Sequence, residues 1–179
     1  FIKMKELIKN GKIGVPQNIR ANRLGLGAIR SEESVIYDLS VHDISMILSI
    51  TEELPIDVNV QSIHHHNNNG PDAIRVKLSF SKGLTALINS DWMCPYKEHQ
   101  FSVIGTKGAL IFDDTKTWSE KLLHNPSFVT SKNTIITAPT KKITIQENEP
   151  LKSELKEFID CLNSRKSPLT DHNEALKVQ

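Results

Sequence analysis

An acid and an imidazole four residues apart are the first pair in this sequence that could do chemistry. Asp38 and His42 lie in YDLSVHDISMILSIT, residues 37–51, where apolar residues recur with helical spacing. On a helix the carboxylate would stand one turn before the imidazole, where it could fix the orientation and tautomer of the ring and raise its basicity. His42 could then accept a proton from a hydroxyl near neutral pH. The spacing alone fits equally well a capping acid followed by an ordinary surface or core histidine.

Other residue types that could line a site are scattered through the chain. The segment WMCPYK begins at Trp92 and ends at Lys97. It could form the wall of a site, or it could be a strand exit that packs Trp92 on the core. Together with Lys97, the cations Arg23 and Arg30 could hold an anionic group such as a phosphate, or they could be unrelated surface charges.

Three consecutive histidines, residues 64–66, raise the question of a metal site. Adjacent strand residues point to opposite faces, so at most two of them could meet one ion, and no acid or cysteine has matching spacing. A polar strand end that enters a turn is the preferred interpretation, and no metal is predicted. Cys94 and Cys161 are far apart in the sequence and are predicted to be reduced thiols.

Periodicity predicts the elements that must position these residues. Alternating apolar residues predict a hairpin over residues 74–92, with its turn at Ser81–Gly83. Helical spacing predicts helices over residues 1–10, 37–51 and 150–162, and a further helix with Thr170 as its N-cap. Further strands are predicted within residues 13–24 and at 56–63, 101–105, 108–114 and 142–146. This order is typical of an α+β domain with an open, mainly antiparallel sheet and helices on one face.

Length and composition limit the class of protein. The chain has 179 residues, of which 38% are hydrophobic and 24% charged, a balance typical of one soluble globular domain over residues 1–179. The formal net charge of +1 gives no electrostatic sign of nucleic-acid binding. No apolar stretch is long enough for a membrane span and the first residues lack a signal peptide core, so we expect a cytoplasmic protein. Because the chain begins with Phe1 and stops within a predicted helix, we expect a fragment of a longer protein.

Several segments, taken in order, resemble the carboxy-terminal domain of the glucose-fructose oxidoreductase / inositol dehydrogenase / MocA family. They are MKELIKNGKIGVPQNIRANR, DLSVHDISMIL, GLTALINSDWMCPYKEHQFSVIGTKGALIFDD and EPLKSELKEFIDCLNSRKSPLTD. The most specific elements are the pair Asp38 and His42, the W-x-x-P-x-K segment, and the turn at residues 104–108. Within the family, the sequence is most similar in character to members that oxidise nucleotide-linked sugars.

The resemblance implies a parent NAD(P)-dependent dehydrogenase. Its NAD or NADP would be held mainly by an amino-terminal Rossmann domain, which this chain lacks since it contains no GxGxxG motif. By resemblance, His42 is the acid/base on the substrate hydroxyl with Asp38 beside it. On residue type, Arg23, Arg30, Trp92 and Lys97 are the candidates for binding a sugar or nucleotide-sugar substrate. The family's Glu-Lys-Pro motif is also absent, so this chain alone should be inactive.

Two functions from different classes remain open. The first is the substrate-binding half of such an oxidoreductase. The alternative is a non-catalytic sugar-binding or oligomerisation module on the same fold, because fold does not fix function. In either case one sheet face over residues 74–113 is expected to mediate homo-oligomer formation. No membrane or nucleic-acid partner is expected.

Overall fold

The computed structural model describes residues 1–27, 32–64, 70–168 and 170–179 of the chain. These residues form two compact units, Phe1–Ile145 and Gln146–Gln179. The first unit contains a large mixed sheet and two helices, and the second contains two further helices. The predicted α+β class is therefore confirmed.

Ten strands occur in the described residues. They are β1 (Pro16–Leu24), β2 (Asp57–Ile63), β3 (Ala73–Ser79), β4 (Thr85–Asp91), β5 (Glu98–Gly105), β6 (Gly108–Asp113), β7 (Leu122–Asn125), β8 (Phe128–Val129), β9 (Ile135–Ile136) and β10 (Lys141–Lys142). Eight of them form one sheet in the order β10-β7-β6-β5-β1-β4-β3-β2, and β8 pairs with β9 separately. All neighbours in the large sheet are antiparallel except β1 and β4, which run parallel.

The helices follow the predicted periodicity with small shifts at their ends. They are α1 (Ile2–Lys9), a π-helical turn (Ile36–Ser40) that continues directly into α2 (Val41–Thr51), α3 (Pro150–Ser164) and α4 (His172–Val178). The cap of α4 is Asp171 and not the predicted Thr170, because the Asp171 carboxylate accepts hydrogen bonds from the backbone N–H groups of Asn173 and Glu174.

The core of the first unit lies on one side of the sheet. Alternate residues of the central strands are buried there, among them Ile19, Ile88 and Val103. The residues between them, such as Arg20 and Lys77, face the other side and are exposed. The sheet therefore has a face covered by helices and an open face, as the alternation in the sequence predicts.

The region after β6 departs most from the prediction. The expected strand at 142–146 is wrong, since only Lys141 and Lys142 pair with β7 and the backbone N–H of Ile143 adds one bond to Leu122. The polar stretch before it contains β7, β8 and β9, which are too short to give a readable alternation.

Candidate functional site

The candidate site lies at one edge of the sheet, where the parallel strands β1 and β4 both reach their carboxyl ends. Leu24, the last residue of β1, pairs with Asp91 at the end of β4 and with Glu98 at the start of β5. This register brings Arg23, Trp92 and Lys97 to a common edge, although they are up to 74 positions apart in the sequence. Crevices outside the carboxyl ends of parallel strands are a common location for ligands.

A helix that begins with a π turn brings the acid and the imidazole to this edge. The backbone N–H of Val41 donates to the carbonyl of Ile36, the i to i+5 bond that defines a π turn. The Ser40 hydroxyl, which is fully buried, donates to the Ser90 hydroxyl of β4 at 2.9 Å. The helix therefore meets the sheet at the turn between Asp38 and His42.

The carboxylate of Asp38 is bound by the indole of Trp92. The Trp92 Nε1–H donates to Asp38 Oδ2 over 2.8 Å. The Trp92 side chain is only 2% exposed, so the ring belongs to the core and offers little surface to a ligand. Of the two interpretations of Trp92, a site wall or a ring packed on the core, the second is observed. Its single N–H nevertheless reaches the candidate acid.

The guanidinium of Arg23 is bound by Asp43, the residue that follows His42. Arg23 Nε and one Nη donate to the two carboxylate oxygens of Asp43, each at 3.1 Å. The side chains are 21% and 4% exposed, so this is a largely desolvated, bidentate ion pair. It ties the end of β1 to the first turn of α2.

The pairing of Asp43 changes which side of α2 faces the sheet. The helical spacing of apolar residues over 37–51 predicts Val41 and Ile44 on the buried side of the helix. Both are only half-buried, and Asp43 is buried in their place, with Ile47 and Leu48. The pattern was wrong here because two polar contacts, at Ser40 and Asp43, dock this helix turn.

His42 itself is exposed, although the next residue, Asp43, is buried. Within the described residues, no hydrogen bond or ion pair engages its imidazole, including with Asp38. Lys97 is also exposed, and its Cγ lies 3.7 Å from the position that a Cβ on Gly25 would occupy, so it stands beside the end of β1. Arg30 lies outside the described residues.

A further histidine, His99, borders this cluster. It pairs with Arg23 across the β1–β5 ladder. Partial burial lowers the pKa of His99 below its ordinary value, the positive charges of Arg23 and Lys97 lower it further, and the carboxylates of Asp114 and Asp43 oppose that shift. His99 is therefore held toward its neutral form beside the two cations.

Asp43 and His99 are not among the candidate residues that the sequence indicates. Alternation in β5 could have placed His99 on the face of Phe101 and Val103, toward the helices. Asp43 carried no such signal, because its partner is a strand residue 20 positions away.

The described part of the chain holds no group of three or more His, Cys, Asp or Glu side chains arranged as metal ligands. Of the three consecutive histidines only His64 is described, and it is exposed. Cys94 and Cys161 are free thiols. None of the described helices combines the length and apolar character needed to cross a membrane.

Comparison with known families identifies the class of protein. The family model described as the GFO/IDH/MocA C-terminal domain matches residues 1–111. The match covers more than half of the chain, so the chain belongs to this family, and the resemblance seen in the sequence is confirmed. No curated protein matches this chain.

Solved structures share the fold over nearly the whole chain. UDP-N-acetylglucosamine 3-dehydrogenase GnnA from Acidithiobacillus ferrooxidans superposes with a TM-score of 0.80 at 17% identity, covering 97% of this chain and 54% of that one. Aldose-aldose oxidoreductase from Caulobacter crescentus, complexed with glycerol, gives 0.79 at 16% identity, covering 99% and 54%. A putative NADPH-dependent oxidoreductase from Desulfitobacterium hafniense gives 0.78 at 18% identity, covering 99% and 55%. The chain thus spans about half the length of these proteins.

Proposed function

We propose that this chain is the substrate-binding half of an NAD(P)-dependent oxidoreductase that oxidises a hydroxyl of a sugar or nucleotide-linked sugar. The observation that carries the proposal is the helix turn bearing Asp38 and His42 at the carboxyl edge of β1 and β4. There the imidazole is exposed and no other described side chain binds it, so it remains available to a substrate.

In this proposal His42 accepts the proton of the substrate hydroxyl. The carbon that bears the hydroxyl loses a hydride as the O–H bond breaks, so a carbonyl forms and the imidazole ring becomes a cation. Asp38 lies one helical turn before His42, where its negative charge would favour that cation. Lys97, exposed beside the end of β1, is positioned to attract an anionic substrate group.

The hydride acceptor would be a nicotinamide dinucleotide bound by a separate amino-terminal Rossmann domain. The sequence contains no GxGxxG loop, so the parallel pair β1 and β4 does not carry the phosphate-binding turn of a Rossmann dinucleotide site. The roles of this chain are therefore to bind and orient the sugar and to accept the proton of its hydroxyl.

In this proposal Arg23 has a structural role in place of the substrate-binding role that its residue type suggests. Its guanidinium is engaged by Asp43 in two hydrogen bonds, so its main contribution is to hold the helix turn beside the substrate. Arg30 remains a proposed substrate-binding residue on the basis of sequence alone. Trp92 has a buried ring, and its indole N–H contacts Asp38.

The test is turnover by the full-length protein with His42→Ala. We expect kcat to fall roughly 10²- to 10⁴-fold, the usual effect of removing a positioned general base. Asp38→Asn should lower kcat less, because it weakens the base without removing it. Affinity for the dinucleotide should change little in either variant.

A matched control is His172→Ala, which removes an exposed histidine from α4 in the second compact unit. Its kcat should stay within about twofold of the original protein, as for ordinary surface substitutions. If His42→Ala retained the original kcat, His42 would not be the base. If the full-length protein neither bound a dinucleotide nor oxidised any sugar, the non-catalytic module would be the better interpretation.

We also propose that the open face of the sheet mediates a homo-oligomer of the intact protein in the cytoplasm. Leu87 lies in the middle of this face, and it is 43% exposed among the described residues. In the register of the sheet, Arg20 of β1 and Lys77 of β3 flank it. A second copy would remove this apolar side chain from water.

A further inference from the structure

The contact between Trp92 and Asp38 has a specific chemical character. An indole has one hydrogen-bond donor and no acceptor, so a buried tryptophan can bind a polar partner only through Nε1–H. Here that donor is directed at a carboxylate oxygen 2.8 Å away, in a residue 54 positions earlier in the chain. The ring itself is 2% exposed and cannot adjust its position without moving its neighbours.

The backbone at Trp92 is held as firmly as its ring. The Trp92 N–H donates to the carbonyl of Asp72 at 3.1 Å, and the following N–H, of Met93, donates to the side chain of Asp91. Asp91 is the last residue of β4. The indole donor is therefore fixed relative to the carboxyl end of that strand.

Asp38, in contrast, lies in the π turn that precedes α2. A π turn is a local departure from the α-helix and is often found at functional sites. In this helix segment one side-chain contact to the sheet precedes His42 by two residues, at Ser40, and another follows it immediately, at Asp43. The bond to Trp92 adds a third contact one turn earlier, so side chains from the ends of β1 and β4 hold the segment on both sides of His42.

We infer that Trp92 is a positioning residue for His42, acting through its indole hydrogen bond to Asp38. The inference rests on the proposed function of His42 as the proton acceptor. In this role Trp92 does not touch the substrate. It fixes the carboxylate of Asp38, and with it the π turn, so that the imidazole one turn later meets the hydroxyl in a reactive geometry.

The direct test is Trp92→Phe in the full-length protein, a change that keeps an aromatic ring and deletes the N–H donor. Because a misplacement of about 1 Å can cost on the order of 100-fold in rate, we expect kcat to fall roughly 10- to 100-fold. KM for the sugar should change less than about threefold, since the ring does not line the substrate site. Trp118→Phe is the matched control, because the Trp118 ring contacts Lys121 and makes no bond to Asp38; its kcat should remain unchanged.

A double-mutant cycle separates positioning from general damage to the core. In an Asp38→Ala background, Trp92→Phe should lower kcat by less than about twofold, because the bond through which it acts is already gone. If the two effects instead multiply, Trp92 acts independently of Asp38 and the inference is wrong. A rise in KM with unchanged kcat in Trp92→Phe would also overturn it and would favour direct substrate contact.

A spectroscopic measurement keeps the inference testable if Trp92→Phe folds poorly. The indole N–H resonance of Trp92 should shift in Asp38→Ala while that of Trp118 stays in place. An unchanged Trp92 resonance would mean that the bond does not exist in solution, which overturns the inference.

The outcomes also distinguish this inference from the proposed function. Normal turnover in His42→Ala contradicts the proposed base. Slow turnover in His42→Ala and Asp38→Ala together with normal turnover in Trp92→Phe contradicts only the positioning role.

Discussion

The covered and open faces of this sheet differ in how the polar side chains of their strands are bonded. On the covered face, Arg23 of β1 is locked to Asp43 and Ser90 of β4 to Ser40, both through side chains. On the open face, Arg75 and Lys77 of β3 are exposed, and side-chain pairs there, Asn18 with Thr85 and Asn22 with Glu98, join neighbouring strands and not a strand and a helix. Within the described ranges, neither Arg75 nor Lys77 takes part in a hydrogen bond or an ion pair.

The two faces therefore differ in rigidity: the side-chain pairs of the covered face fix a geometry, whereas the charged side chains of the open face can change partners. A desolvated polar group must have a partner, so each pair on the covered face fixes the distance between a helix and a strand. A solvated cation on the open face has no such requirement and can accept different partners. We therefore expect substitutions on the covered face to affect stability and turnover, and those on the open face to affect association.

The largest expected effect is the loss of stability in Asp43→Ala. This change leaves the guanidinium of Arg23, whose side chain is 21% exposed, without its counter-ion. Breaking a buried pair by removing one partner typically costs 3 to 5 kcal/mol, and we expect about 3 kcal/mol because Arg23 retains some solvent contact. The free energy of unfolding from urea titration measures it.

Asp57→Ala is the matched control for this prediction, because Asp57 is an exposed acid on β2 at the rim of the open face. We expect it to change the free energy of unfolding by no more than about 0.5 kcal/mol. Equal effects of the two alanine substitutions would mean that the covered face is no more rigidly paired than the open one.

A smaller effect is expected for Leu87→Lys on the open face. If a second copy buries Leu87, a charged replacement should lose about 1.5 to 3 kcal/mol of association free energy, or at least a tenfold rise in the dissociation constant. Light scattering of the full-length protein at micromolar concentrations measures this shift. Val129→Lys, at an exposed position of β8, should leave the assembly intact. A strictly monomeric original protein would contradict the proposed interface before any variant is made.

The two faces also differ in how well the sequence predicts them. The alternation in β3 and β4 correctly separates Ile74, Val76 and Ile88 from Arg75 and Lys77, because burial on one side of a strand imposes a period of two. The hairpin follows from the same alternation. Helical spacing predicts that both long helices exist, although it misplaces the buried side of α2. An alternating pattern in a strand indicates which side of the strand is buried. The open face is recognised only as the side that lacks this burial.

The polar contacts of the covered face could not be predicted in this way. The spacing of Asp38 and His42 indicates a shared helix, but the partner of Asp38 is Trp92, which belongs to another element. The burial of Asp43 contradicts the hydrophobic pattern of its own helix and is explained only by Arg23, which tertiary folding brings to it. Local periodicity contains no information about which distant side chain will satisfy a buried charge.

The smallest expected effect is a pH dependence of stability that comes from His99. Its pKa is lowered in the folded protein, first by burial and then by Arg23 and Lys97, against opposing contributions from Asp114 and Asp43. The unfolded chain therefore binds a proton more readily than the folded one. The stabilisation is complete above the ordinary histidine pKa of 6.5 and is lost as the pH falls below that value toward the folded pKa. His124, which is buried in β7 and also has a lowered pKa, adds a loss of the same sign.

We expect the free energy of unfolding to fall between pH 7.5 and pH 5.5, and to fall less steeply in His99→Gln. His172→Gln, at the exposed start of α4, should keep the original slope. A slope in His99→Gln as steep as the original would show that His99 is not held toward its neutral form beside Arg23.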